Sequence, residues 1–70
     1  MSEFDPGLPS IRYVQSAIKE KKEVELKSIA GDLLVGKILW QDINCICLLA
    51  QDEQQILLWR QAIVYLKPLA

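Results

Sequence analysis

Two glycines, Gly31 and Gly36, stand in the run Gly31-Asp-Leu-Leu-Val-Gly-Lys-Ile-Leu-Trp-Gln-Asp42, and this run constrains the fold more than any other segment. Its residues are mostly those of a β-strand. A glycine inside a strand weakens it, and usually marks a bulge, a tight bend or the close approach of another backbone. Ala30-Gly31-Asp32 reads as a turn. Leu33 to Gln41 then reads as one strand, apolar on both faces and bent at Gly36. One long, strongly bent strand is how a small sheet curls on itself.

The flanking periodicity supplies the remaining elements. Residues 1 to 8 carry Pro6 and Gly7 and read as a flexible N-terminal arm. Pro9-Ser10 opens a helix, with Pro suited to the first turn and Ser a candidate N-cap. Ile11, Val14 and Ile18 recur at helical spacing, with Tyr13 and Ala17 beside them. The helix is expected to run to about Lys22. Lys19, Lys21 and Lys22 gather near its C-terminus, where cations complement the helix dipole.

From Glu23 the period shortens. Val24 to Lys27 alternates as a half-buried strand should. Asp42-Ile-Asn44 is a short loop, Cys45 to Ala50 a third strand, and Gln51 to Gln55 a polar turn. Ile56 to Trp59 and Ile63 to Leu66 are the fourth and fifth strands, joined only by Arg60-Gln61-Ala62 and closed off by Pro68. The expected architecture is mostly β with one N-terminal helix. Its five antiparallel strands form a strongly bent sheet or small open barrel spanning residues 9 to 68.

Seventy residues, 51% of them hydrophobic, cannot hide all their apolar surface in one small domain. Some of it is therefore expected to be buried against other copies of the chain. The short fourth and fifth strands are apolar on both faces, and exposed edges of that kind aggregate unless paired. A closed ring, in which strand four of one copy pairs with strand five of the next, removes both edges.

The formal charge is −1, so no broad basic field draws nucleic acid from a distance. Polyanion binding would rest on local clusters. No apolar run approaches a membrane span. The acidic start Met1-Ser-Glu-Phe-Asp5 lacks a signal-peptide pattern, so a cytoplasmic location is expected. Cys45 and Cys47 could be read as a metal or redox pair, but two cysteines in a chain with no His fall short of the four Cys and His ligands of a structural zinc site, and they read as small buried hydrophobes. No Gly-rich phosphate loop and no nucleophile paired with a base is present. Neither an enzyme nor a cofactor is expected.

The order of elements, with these residues, resembles the Sm-like superfamily and, within it, the bacterial Hfq family. Residues 24 to 49 are similar to the first Sm motif, with Gly31, Gly36 and Asp42 in place, and residues 56 to 66 to the second. Leu8-Pro-Ser10, Gly31-Asp32 and Trp40-Gln-Asp42 resemble the cyanobacterial branch. The resemblance implies a homo-oligomeric ring, usually a hexamer, that has no active site and binds single-stranded RNA. Uridine-rich RNA would circle the pore on the helix face, adenine-rich RNA would use the opposite face, and basic residues would line the rim. It implies a post-transcriptional regulator or RNA chaperone.

Carried over residue by residue, the resemblance is uneven. The family's Tyr/Phe-Lys-His-Ala stretch corresponds to Trp59-Arg60-Gln61-Ala62. Arg60 keeps a cation, and Gln61 keeps hydrogen bonding without an imidazole. Ile43 and Asn44 stand where the family presents a base-contacting pair at the pore, and Asp42 is expected to orient their loop. Trp59, Ile63 and Tyr65 are expected at the subunit interface. Lys27 replaces the stacking aromatic of the adenine face, which removes that platform while Leu34 and Val35 keep apolar surface. On the rim, Lys19, Lys21 and Lys22 replace arginines and are interleaved with Glu20 and Glu23. All three RNA surfaces are thus diverged and weakened. The cyanobacterial branch is associated with the type IV pilus motor ATPase and motility, which implies an alternative: a ring that docks on a protein partner at the pilus base.

Overall fold

The computed structural model describes residues 7–69. The helix α1 spans Pro9–Glu20. It starts two residues earlier than a Ser10 cap would require. Leu8 is the N-cap, extended at φ −72° and ψ 137°, and Pro9 occupies the first helical position, where its missing N–H costs nothing. The Leu8 carbonyl accepts from the Arg12 amide at 2.9 Å. The helix also stops short of Lys22. Lys21 takes the left-handed conformation at φ 54°, and the Lys21 and Lys22 amides turn back to the carbonyls of Ile18 and Ala17. This closure satisfies the orphan carbonyls of the last turn. Ile11, Val14 and Ala17 form the buried stripe.

Five strands follow: β1 (Glu23–Ser28), β2 (Leu33–Gln41), β3 (Cys45–Ala50), β4 (Gln55–Trp59) and β5 (Ile63–Pro68). Strands β1, β4 and β5 are each longer than the alternation and apolar runs suggested. Pro68 is the last residue of β5, opposite Val24, rather than a stop beyond it. All neighbours are antiparallel, in the order β4-β3-β2-β1-β5.

Gly31 sits in the β1–β2 turn at φ +94°. The Ser28 hydroxyl accepts from the Ala30 and Asp32 amides at 3.2 Å each and holds that turn. Gly36 has a different reason. A Cβ there would lie 2.2 Å from the Leu49 carbonyl oxygen, so the position is a close approach of the β3 backbone. A register shift between Ile38 and Trp40 leaves Leu39 as the extra residue of a bulge. Bulges bend a strand and increase its twist, so β2 is curved at two neighbouring points.

The last connection shows how far the sheet curls. Strands β4 and β5 lie at opposite edges, which in a flat sheet stand roughly 19 Å apart at the usual strand spacing. A single short 3₁₀ turn, Arg60–Ala62, joins them. Even fully extended, the chain from Trp59 to Ile63 reaches only about 13 Å. The two edges must therefore approach one another at that end.

The core lies inside the curl, under α1: Val14, Ala17, Val24, Leu26, Ile38, Ile46, Leu48 and Leu58 pack as one cluster. Cys45 and Cys47 are buried free thiols, and burial pushes both up from their ordinary values. The two edge strands keep large apolar side chains outside: Leu57, Trp59 and Val64 are 49%, 55% and 58% exposed. Among the described residues, no helix is long and apolar enough to cross a membrane.

Candidate nucleic-acid interface

The loop between β2 and β3 is organised by Asp42. Its Oδ1 accepts from the Asn44 amide at 2.8 Å and the Cys45 amide at 2.7 Å, and its own amide donates to the Cys45 carbonyl at 2.9 Å. An Asp side chain closing a turn on the amides that follow is the local chemistry this residue favours. The carboxylate is spent on its own loop, which leaves Ile43 and Asn44 exposed at the tip.

Arg60 ties this loop to the end of β4. Its amide donates to the Asn44 carbonyl at 2.9 Å, and its Nε donates to the Asp42 carbonyl at 3.0 Å. One Nη donates to Gln41 Oε1, and Gln41 Nε2 in turn donates to the Ile11 carbonyl at 3.3 Å. Helix start, β2 end and β4 end are thereby joined through one amide side chain.

The result is a cleft of about 250 Å³. Ile43, Asn44, Arg60 and Gln61 all line it, with Trp59 beside them and Leu8, Ser10 and Ile11 forming the helix wall. The four residues expected on the pore face are therefore brought together. Leu8, Ser10 and Ile11 were not expected there, nor was Gln41 expected to hold Arg60. Pro9 signals a helix start, but nothing local in the sequence says that this start meets the β2–β3 loop.

The basic residues of the expected rim lie elsewhere. Lys19 is in the last turn of α1, and Lys21 and Lys22 follow it. These lie toward the other end of the helix from the cleft wall, with Lys19 about 12 Å from Ile11 along the axis. Lys22 Nζ lies 3.1 Å from Glu20 Oε1, and this lysine, aided by the Ser16 hydroxyl, holds the Glu20 carboxyl below its ordinary value.

Of the three expected interface residues, Trp59 is exposed at the cleft edge and Ile63 is half-buried against the core. Tyr65 is half-buried and donates its hydroxyl to Glu25 at 2.7 Å, with Lys67 3.6 Å from the same carboxylate. Lys27, Leu34 and Val35 are half-buried on β1 and β2, but they do not share a face: Leu34, paired with the buried Leu26, packs against the core, so of the expected apolar pair only Val35 lies on the side of Lys27. Among the described residues, no group of three or more His, Cys, Asp or Glu could hold a metal ion.

One helix followed by five antiparallel strands in a curled sheet is the architecture of an Sm-like domain. The model of the family described as Hfq related matches residues 8–68, and the chain belongs to that family. A crystal structure of an Hfq protein from Anabaena sp. is similar at a TM-score of 0.81 with 46% identity, covering 90% of this chain and 100% of that one. A structure of a protein described as the pleiotropic translational regulator Hfq superposes with a TM-score of 0.78 at 21% identity, covering 83% of this chain and 95% of that one, a likeness of fold. No curated protein sequence matches the chain.

Proposed function

We propose that the chain is a non-enzymatic RNA-binding protein, a cytoplasmic post-transcriptional regulator or RNA chaperone assembled as a homohexameric ring. Uridine-rich single strands would enter the cleft, with Ile43 offering an apolar face and Asn44 and Gln61 offering amides to base edges. Arg60 adds positive charge. The observation that carries this reading is the convergence of Ile43, Asn44, Arg60 and Gln61 on one cleft from two separate loops. A ring would repeat this modest contact around the pore, which is how weak sites sum to useful affinity. Lys19, Lys21 and Lys22 would supply a weak rim contribution, blunted where Glu20 pairs with Lys22.

Fluorescence anisotropy with labelled oligo-U and oligo-A at moderate salt, alongside the mass of the assembly in solution, tests this. Saturable oligo-U binding by an intact ring, stronger than oligo-A binding, is expected. No binding at high micromolar protein with the ring intact overturns it.

A second reading is a ring that works by docking on a protein partner such as the type IV pilus motor ATPase. The exposed Leu39 beside half-buried Ile18 and Leu49 favours it, since aliphatic surface serves protein contacts better than phosphate contacts. A pull-down from native lysate that yields small RNAs and no stoichiometric protein counts against it.

A further inference from the structure

Away from the cleft, a groove of about 470 Å³ runs between the C-terminal end of α1 and the outer surface of β2 and β3. Its floor is aliphatic: Ile18, Ile38, Leu39 and Leu49. Its charged residues are two lysines, Lys21 and Lys37. The groove has a local cause. Leu39 is the unpaired residue of the β2 bulge, which leaves it 38% exposed instead of packed inward. Lys21 is set at the lip by the left-handed turn that ends the helix.

We propose that this groove docks an acidic peptide segment of a partner protein, anchored by a large aliphatic or aromatic side chain. The anchor would lie on Ile18, Leu39 and Leu49, with carboxylates on either side meeting Lys21 and Lys37. Two observations set the occupant. First, charge is complementary only to an anion, and the adjoining surface carries Glu20 and Glu23 as well as Lys22, which disfavours a continuous run of phosphates. Second, the lining holds no aromatic ring, guanidinium or amide side chain. Those are the groups on which single-stranded bases stack and by which they are read. A peptide needs neither.

The groove also lies on β2 and β3, in the interior of the strand order, whereas the unpaired edges are β4 and β5. Pairing of edges between copies would not by itself consume it. The chain's own exposed acidic turn, Gln51-Asp-Glu-Gln-Gln55, has no apolar residue to serve as an anchor. This docking rests on the second reading above, a ring that acts through a protein partner, and stands apart from RNA binding at the cleft.

The test uses the whole chain, isotope-labelled, and a synthetic peptide, Ser-Asp-Glu-Leu-Phe-Asp-Glu-Ser, followed by amide chemical shifts and by anisotropy. Expected are saturable shifts at Ile18, Lys21, Leu39 and Leu49, and weaker binding as salt rises. The double variant Lys21→Glu, Lys37→Glu should lose roughly tenfold in peptide affinity, the effect of reversing two exposed cations opposite carboxylates. Both lysines are exposed, so the double variant should keep the wild-type thermal midpoint, and the single variant Lys37→Glu, which lies on none of the RNA surfaces, should weaken peptide binding while keeping the oligo-U affinity of the cleft. Three results overturn the proposal: no shift at these amides at saturating peptide, equal binding of a control peptide with Ser-Ser replacing Leu-Phe, or stronger shifts at the same amides from oligo-U than from the peptide. The last would assign the groove to RNA.

Discussion

Replacing Gly36 with Ala tests the link between one atom and the curl of the sheet. The new Cβ would sit 2.2 Å from the Leu49 carbonyl oxygen, 2.9 Å from its carbon and 3.1 Å from the Ala50 Cα. All three are backbone atoms, so no side chain can swing away. Strand β3 must retreat by nearly 1 Å to restore even 3.0 Å to the oxygen. That retreat occurs within the paired register Gly36↔Ala50 and Lys37↔Leu49. Overpacking of this kind costs about 1–3 kcal/mol. Weakened ladder hydrogen bonds at the same place add about 1 kcal/mol each. Against this stands a total stability of roughly 4–10 kcal/mol for a domain of this length.

The expected loss, about 2–5 kcal/mol, is large enough to lower the thermal midpoint by at least 10 °C or so, at about 4–8 °C per kcal/mol. The control is Gly31→Ala. Gly31 has φ +94° and nothing within 4 Å of its would-be Cβ, so only backbone strain is incurred, about 1–2 kcal/mol. Thermal melts by circular dichroism at matched protein concentration compare the two, since assembly makes the midpoint concentration-dependent. A Gly36→Ala protein that melts at or above Gly31→Ala would refute the close-approach reasoning.

Three further outcomes are expected. Asp42→Ala should lose about 1–3 kcal/mol by orphaning the Asn44 and Cys45 amides, measured by urea denaturation, whereas Asp42→Asn keeps an acceptor and should cost less; equal losses would show that the two hydrogen bonds do not hold the loop. The Tyr65 hydroxyl holds the Glu25 carboxyl below its ordinary value, a contribution full at neutral pH and lost as pH falls through the lowered folded value; the same bond raises Tyr65, a contribution full below the ordinary Tyr range and lost as pH rises through the raised folded value. Tyr65→Phe should therefore flatten both limbs of a stability–pH profile, and an unchanged profile would show the bond to be neutral. Gln41→Ala removes an acceptor from one Arg60 Nη and a donor from the Ile11 carbonyl, while Arg60 Nε keeps the Asp42 carbonyl; with that Nη able to turn to a phosphate, the salt dependence of oligo-U binding should steepen by up to about 0.7 per site, and an unchanged slope would show that Gln41 does not restrain this end of Arg60.

The turn at Gly31, the bent β2 and the number of strands were legible because each rests on local chemistry: a residue free to take positive φ, a missing side chain, alternating polarity. The helix end at Glu20 was not, because a lysine adopted the left-handed cap that glycine normally signals. The bulge at Leu39 was hidden as well, since a leucine among apolar neighbours carries no mark of being unpaired. Ile43, Asn44, Arg60 and Gln61 could be singled out only through the family they resemble, and nothing in their spacing joins positions 43 and 60.

The sequence by itself thus determined the element order, the need for curvature and the surplus of apolar surface on short strands, since these follow from residue type and period. Only the tertiary structure decided what meets across the curl. It turned Arg60 toward Gln41 and Asp42, brought the helix start to the β2–β3 loop, and left an aliphatic groove beside Lys21 and Lys37. Those contacts depend on register, on one bulge and on the close approach of two backbones, and such long-range geometry has no local signature in the chain. Gly36, which reads as a bend in the sequence, is in the structure the point where β3 lies against β2 with no room for a single methyl group.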